Sequence, residues 1–293
     1  MDPTTSIPPT IRSLLQPDPL KAEITLKTTP LPTRTPSSAT EHLIRSPATT
    51  SPEPSYTAPP TPFPPGTPVW GRTNVNHAGN ARDYTIAHTY ELCRRPGSVD
   101  EISAASVPLS AETAVQALFT RGGLAGLGEG AAGRERNKGK KVLITAASGG
   151  VGVWLLQLAR EAGVGGIVAT SVGEWAAEAA GRAGEAGKVD LVVDCKGGES
   201  LAHCWGAVKD GGVLLSICEP PEGRKPGDCV VKDVRNEFFI MEPKGDDLLE
   251  VGRLFDEGKV KTVVDSVWKL EEYKQAFEKL DTGHSRGKIL LTL

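Results

Sequence analysis

The chain has 293 residues, of which 39% are hydrophobic and 24% charged, and its 33 Lys and Arg against 36 Asp and Glu give a formal net charge of -3. This is the composition of an ordinary soluble protein, with room for one large domain or two small ones. Because the charge is nearly balanced and no basic face is evident, binding to nucleic acid or anionic lipid has little support. A small molecule or a protein is the expected partner.

The cysteines and the N-terminus indicate a reducing compartment. The first twenty residues lack both the apolar core of a secretory signal and the Arg-rich, acid-poor character of a transit peptide. We therefore predict a cytoplasmic protein that does not cross a membrane. Its five thiols are expected to be reduced, since they are scattered without a CxxC pair: Cys93, Cys195, Cys204, Cys218 and Cys229.

Proline divides the chain, because 17 of the 23 prolines fall at or before Pro68. Dense proline blocks helices and interrupts ladder hydrogen bonds, so residues 28–68 are expected to be mostly extended or disordered. Alternating side chains nevertheless predict strands at residues 21–27 and 41–45. Residues 68–71 and 83–87 add two short strands, which together indicate a small β unit.

From about Ser103 onward the pattern changes to alternating helices and strands. The first helix is predicted at residues 110–119, capped by Ser110 and with Thr113 in its first turn. A glycine-rich loop is expected at 122–139. Later helices are predicted at 152–162, 246–257 and 271–280, and strands at 141–145, 166–170, 189–193, 212–217, 261–265 and 287–293. Strands joined by helical crossovers predict an α/β fold with a Rossmann-like, doubly wound parallel sheet.

A glycine turn carries the chemistry. Ala146, Gly149 and Gly152 have AxxGxxG spacing between a predicted strand and a predicted helix. Such a turn lets the backbone approach a pyrophosphate, and the amides and positive dipole end of the helix N-terminus receive the phosphates. With the strand before it and the helix after it, dinucleotide binding is favoured over a merely structural turn.

The end of the next strand favours NADP over NAD. An acidic side chain there normally binds the ribose hydroxyls of NAD and repels a 2′-phosphate. Here the strand ends with the hydroxyls of Thr170 and Ser171 instead. Glu174 lies nearby and no Lys or Arg is in the same turn, so the sequence does not exclude NAD as the cofactor.

The chain resembles the zinc-independent, quinone-oxidoreductase-like (enoyl reductase-like) branch of the medium-chain dehydrogenase/reductase superfamily. Five segments carry this resemblance, and they occur in the same order as in that family. They are residues 108–114, 146–152 and 189–198, Phe238-Phe239, and residues 283–288. The resemblance implies a GroES-like β domain, here shortened (1–107), a Rossmann-like domain (108–270) and a C-terminal helix and strand returning to the β domain (271–293). It also implies a homodimer, with residues 261–265 and those near 230–234 as candidate pairing strands. Ten positions match residues that lie along the family's cofactor: Thr113, Ser148, Gly149, Gly150, Val151, Thr170, Ser171, Cys195, Phe239 and Lys288.

Two departures from the family pattern affect the expected site. Several dozen residues that shape the substrate pocket are missing after Arg45. A helix and a strand that help to enclose the adenosine are reduced to residues 172–188. These losses leave open a catalytically silent nucleotide- or partner-binding protein, or a truncated paralogue.

Other candidate groups have simpler explanations. Zinc is not expected, because no convergent Cys/His set is visible. Cys195 is expected to pack rather than act as a nucleophile, since no base is identifiable. His77 and His88 are expected to be surface residues and Tyr84 a structural phenol.

The predicted reaction is hydride transfer from NADPH to a quinone or an activated C=C bond, with the cofactor supplying the difficult chemistry. No catalytic residue is assigned from the sequence.

Overall fold

The computed structural model describes residues 62–64, 66–76, 81, 84–170 and 187–292, together with the backbone of three earlier strands. These are β1 (Thr10–Leu15), β2 (Thr25–Pro30) and β3 (Glu41–Arg45). The strand at residues 41–45 is confirmed, whereas the one predicted at 21–27 begins at Thr25 and β1 was not predicted. Most of the proline-rich window, along with His77 and Ser171, lies outside the described residues.

The N-terminal β unit is built from antiparallel pairs. β1 pairs with β2, and β3 pairs with β5 (Tyr84–His88). β4 (Val69–Gly71) pairs with β6 (Leu92–Arg94), which places Trp70 opposite Cys93. Both of these side chains are buried, so this pair contributes to the core.

A five-stranded parallel sheet forms the centre of the α/β part. Its strands are β7 (Lys141–Ile144), β8 (Gly166–Ala169), β9 (Val189–Asp194), β10 (Val208–Ser216) and β11 (Arg235–Phe238), in the order β11-β10-β9-β7-β8. The central strands read as apolar runs because both of their faces are covered. This confirms the predicted Rossmann-like sheet.

Seven helices surround the sheet within the described part of the chain: α1 (Glu101–Ala105), α2 (Pro108–Val115), α3 (Gly130–Asn137), α4 (Gly150–Glu161), α5 (Gly198–Ala207), α6 (Asp247–Asp256) and α7 (Tyr273–Asp281). A π-helical turn, Gln116–Arg121, continues α2. None of the helices described is long and apolar enough to cross a bilayer.

Two predictions about this region were wrong. Pro108 occupies the first turn of α2, where its missing N–H costs nothing, so the helix begins two residues early and Ser110 does not cap it. Thr113 consequently lies in the second turn. The glycine-rich stretch expected to be a loop contains α3, whose Asn137 side chain donates to the carbonyls of Ala125 and Ala162.

The β unit packs on the helices through an aromatic cluster. Phe255 of α6 contacts Trp70 of β4 and Trp154 of α4, with ring centroids 6.0 and 5.7 Å apart. Large aromatic side chains bury much apolar area, so this cluster ties the two parts together.

The C-terminal strands return to the glycine turn. β12 (Val264–Lys269), which begins three residues after its predicted start, pairs in parallel with β13 (Lys288–Thr292) through the crossover helix α7. Just before β13, Gly287 has φ +82° and forms a bridge with Gly149. This connection places Lys288 beside the start of α4.

Candidate functional site

The glycine turn has the geometry that its spacing predicts. The Ala147 amide donates to the Thr170 carbonyl at 2.8 Å, which ties the turn to the end of β8. A Cβ added at Gly152 would lie 2.5 Å from the Ala147 Cα and closer still to the Ala146 carbonyl oxygen. Because neither backbone atom can yield, this position requires glycine.

The N-terminus of α4 is open to an anion. The helix starts at Gly150, two residues earlier than predicted, and its N-cap, Gly149, has no side chain that could bond the first amides. The first N–H groups of a helix have no partner within it and carry the positive end of its dipole. The turn therefore presents backbone donors where a phosphate is expected.

Lys288 brings positive charge to this helix end. The Gly287 amide donates to the Ser148 carbonyl at 3.0 Å, and the Lys288 amide donates to Val263. A Cβ at Gly150 would lie 2.6 Å from Lys288 Cδ, so the lysine stem crosses the start of α4. Burial lowers the pKa of the Lys288 ammonium. A bound anion would offset that desolvation.

Two buried hydroxyls flank the turn without hydrogen-bond partners among the described residues. Thr170 Oγ1 lies at the end of β8, with Thr170 only 3% exposed, and Ser110 Oγ lies on α2, with Ser110 only 1% exposed. In contrast, Thr113 Oγ1 donates to the Leu109 carbonyl at 2.6 Å within α2. Buried polar groups are nearly always paired, so the two free hydroxyls call for an explanation.

Asp194 organises the carboxyl ends of the central strands. Its fully buried carboxylate accepts from Thr145 Oγ1 at 2.8 Å, Ser216 Oγ at 3.0 Å, and the amides of Gly197 at 2.9 Å and Lys196 at 3.3 Å. The network connects the ends of β7, β9 and β10. In open α/β sheets, this is the edge at which ligands bind.

Cys195 follows Asp194 but is not suited to nucleophilic attack. Its amide donates to Thr145 Oγ1 at 2.8 Å. Burial, and secondarily the nearby Asp194, raise the pKa of the Cys195 thiol well above its ordinary value. Since the thiolate is the reactive form, the geometry favours a packing role.

Phe239 is held at the end of β11. Its ring is buried, and the Arg121 guanidinium lies 4.8 Å from the ring centroid. Arg121 also forms an ion pair with Glu237 of β11. The cation–π contact and the ion pair together fix the position of this ring.

Among the residues predicted to lie along the cofactor, six gather at the turn: Ser148, Gly149, Gly150, Val151, Thr170 and Lys288. Cys195 and Phe239 follow the ends of β9 and β11, and Ser171 is outside the described residues. Ser110 and Asp194 were not selected from the sequence. An acid within an apolar strand was the available signal for Asp194, whereas the place of Ser110 depends on packing between α2 and α4.

No metal centre is evident in the described part of the chain. No group of three or more His, Cys, Asp or Glu side chains there could hold an ion. Cys93 is buried, and its desolvation raises the pKa of the thiol. His88 stacks on Tyr90, with ring centroids 5.5 Å apart.

Comparisons with known proteins agree with this architecture. Residues 167–291 match the model of the zinc-binding dehydrogenase family. The "Probable zinc-binding oxidoreductase, mitochondrial" of Arthroderma benhamiae is 43% identical, covering 98% of each chain. Its alignment of 335 positions exceeds the 293 residues here, so this chain has gaps relative to it. The "Chloroplast envelope quinone oxidoreductase homolog" of Arabidopsis thaliana is 29% identical over 73% of this chain and 68% of its own.

A solved structure shows the same fold. The quinone oxidoreductase from Coxiella burnetii superposes with a TM-score of 0.72 at 22% identity, over 97% of this chain and 99% of its own. This likeness shows the fold, and the A. benhamiae relative shows the family. The chain belongs to the quinone-oxidoreductase-like branch of the medium-chain dehydrogenase/reductase superfamily.

Proposed function

We propose that the protein is an NADPH-dependent, zinc-independent oxidoreductase that reduces a quinone or an activated C=C bond. The observation that carries the proposal is the N-terminus of α4, which has no side-chain cap and on which Lys288 converges. The names of the A. benhamiae and A. thaliana relatives support the reaction class.

The residues of the site fit a dinucleotide. The first amides of α4 would bind its diphosphate, and Lys288 would neutralise the negative charge. Thr170, whose buried hydroxyl has no partner among the described residues, would bind the adenosine ribose. When bound, the nicotinamide ring supplies the hydride.

The preference for NADP rests on the end of β8. The strand ends at Ala169 and is followed by Thr170 and Ser171, with no acid to repel a 2′-phosphate. A hydroxyl can donate to that phosphate, whereas a carboxylate there would repel it.

In this proposal the side chains of the protein position the cofactor and the substrate, and no metal ion takes part. Phe239, held by Arg121, forms a fixed wall at the end of β11, and the Asp194 network fixes the neighbouring strand ends. Zinc would require three or four convergent ligands, and no group of three or more His, Cys, Asp or Glu side chains converges in the described part of the chain. Charge that develops on the substrate oxygen would be stabilised by backbone or hydroxyl donors.

A thermal melt with each nucleotide is the first test. A ligand at about 100 times its Kd stabilises the fold by about 2.7 kcal/mol. We expect NADPH to raise the Tm more than NADH, and NADPH oxidation at 340 nm with quinones or enones to follow. A cooperative melt with no shift for either nucleotide would contradict the proposal.

The alternative is a silent nucleotide-binding protein, favoured by the gaps relative to the A. benhamiae relative. It predicts a Tm shift without turnover on any quinone or enone. The domain boundaries at 107 and 270, the homodimer and the cytoplasmic location stay predictions. The mitochondrial label of that relative makes organelle import the competing possibility for location.

A further inference from the structure

Ser110 places a hydroxyl directly against the start of α4. A Cβ added at Gly150 would lie 3.3 Å from Ser110 Oγ and 2.6 Å from Lys288 Cδ. The serine on α2 and the lysine on β13 therefore converge on the first residue of α4 from two different elements. Ser110 is 1% exposed, and its Oγ has no hydrogen-bond partner among the described residues.

The neighbouring hydroxyl of α2 is already engaged. Thr113 lies one turn after Ser110, and its Oγ1 donates to the Leu109 carbonyl at 2.6 Å. A hydroxyl has one proton to donate, so Thr113 cannot donate to a phosphate without breaking that bond. Ser110 has no such bond to break among the described residues.

The N-terminus of α5, which follows β9 of the same sheet, shows a helix end whose amides are already hydrogen-bonded by side chains of the chain itself. At the start of α5, the Gly198 amide donates to the Glu219 carboxylate and the Gly197 amide donates to Asp194. Two carboxylates of the chain thus satisfy that end. No carboxylate of the described residues bonds the first amides of α4, although this helix end lies beside a buried hydroxyl without a described partner and a desolvated ammonium.

We propose that Ser110, rather than Thr113, is the hydroxyl of α2 that donates to the cofactor's diphosphate at the N-terminus of α4. This inference rests on the proposed function, because it assigns a further binding residue to the same site. Leaving a buried donor unpaired is costly, and a phosphate oxygen supplies the missing acceptor. Displacement of the flexible Lys288 side chain would let the phosphate reach the Ser110 hydroxyl.

The test compares Ser110→Ala with wild type by isothermal titration of NADPH and of 2′-phospho-ADP-ribose, which carries the diphosphate without the nicotinamide ring. A hydrogen bond to a charged group typically contributes about 10-fold or more in affinity. We expect a loss of at least that size for both ligands. The Tm of the free variant should not fall, because the hydroxyl loses no partner within the described part of the chain.

Ser200→Ala is the matched control. Ser200 is also buried, and its Oγ likewise has no partner among the described residues, but it lies in α5, whose N-terminus is already filled. We expect no change in its affinity for either ligand.

The possible outcomes are distinct. Equal affinity of Ser110→Ala and wild type for both ligands overturns the assignment and leaves the proposed function intact. A larger loss in Thr113→Val than in Ser110→Ala overturns it as well. If wild type binds neither ligand, nor NADH, the proposed function fails and this inference fails with it.

Discussion

Thr145 and Asp194, 49 residues apart in the chain, are joined by a hydrogen bond of 2.8 Å between the Thr145 hydroxyl and the Asp194 carboxylate. The same Thr145 oxygen accepts from the Cys195 amide. Both residues are buried, so the ends of β7 and β9 are held in fixed relation without water. The glycine turn begins directly after Thr145, and its position therefore depends on this contact.

Replacing Asp194 should destabilise the protein strongly. Asp194→Ala leaves two buried hydroxyls and two amides without an acceptor, which we expect to cost about 3 kcal/mol or more. Urea denaturation measures the loss. Asp190→Ala is the control on the same strand: Asp190 is partly exposed and pairs with Lys140 and Lys209, so about 1 kcal/mol is expected. Equal losses would show that the network is not the cause.

Glycine substitutions in the turn should differ in severity by position. Gly152→Ala forces a Cβ against the backbone of Ala146 and Ala147, so we expect a loss of about 3 kcal/mol and no measurable NADPH binding. Among the described atoms, the Cβ of Gly149→Ala meets the Ala146 carbonyl oxygen alone, at 3.2 Å, so this change should cost under about 1 kcal/mol. Urea denaturation and titration measure both.

The control for these changes is Gly206→Ala. Gly206 lies in α5, and no described atom outside its own stretch of helix lies within 4 Å of an added Cβ, so alanine should stabilise the protein by about 0.5–1 kcal/mol. If Gly152→Ala is tolerated as well as Gly149→Ala, the close approach of α4 to the turn is not required.

The turn could be predicted from the sequence because its requirements are local. Gly149 and Gly152 meet steric demands set within seven residues, and the strand before them is a short apolar run bounded by charge and glycine. The helix α3 could not be predicted, because Gly130 and Gly133 interrupt it and other glycines precede it, which hid the five Ala, Arg and Glu residues among its eight. Distant contacts stabilise it, including an Arg134 side chain that donates to the Glu161 carbonyl.

The unpredicted part of the site depends on contacts between distant segments. Ser110 reads as a helix cap in isolation, and only the packing of α2 against α4 turns its hydroxyl towards Gly150. Likewise, the acceptor role of Asp194 involves Thr145 and Ser216, which belong to other strands. Local sequence patterns do not predict contacts between different elements, since each pattern describes one helix or strand at a time.

Two thiols should resist alkylation in the folded protein. Burial, chiefly, raises the pKa of Cys195 and Cys204 well above the ordinary value. Because the thiolate reacts, iodoacetamide at pH 7.5 should modify these two only after unfolding. Cys218 is exposed, so it is the comparison that should react in the folded protein, slowly because its pKa is raised to about 11. Peptide mass spectrometry with and without urea measures this. Rapid modification of Cys195 in the native protein would instead indicate an activated nucleophile.

Glu112 should make stability fall as pH rises. Its side chain is fully buried on α2, with Oε2 accepting from the Lys244 amide at 3.0 Å and Oε1 unpaired among the described residues. Desolvation raises the pKa of Glu112 from 4.5 to about 8, with smaller contributions from Asp247 and Glu91. The hydrogen bond from the Lys244 amide and, to a lesser extent, the charge of Arg72 oppose this rise. The folded state therefore retains a proton that the unfolded chain releases.

The sign follows from this difference in proton binding. Below pH 4.5 both states are protonated and Glu112 imposes no penalty; between pH 4.5 and 8 the unfolded state ionises alone, and stability declines by up to about 1.4 kcal/mol per pH unit. The total cost above pH 8 is about 5 kcal/mol.

Glu112→Gln cannot ionise, so its stability advantage over wild type should grow from pH 5 to 8 and then level off. Urea denaturation across that range measures it, with Glu278→Gln on the exposed face of α7 as the control. Parallel pH profiles for wild type and Glu112→Gln would mean that Glu112 keeps its ordinary titration in the folded protein.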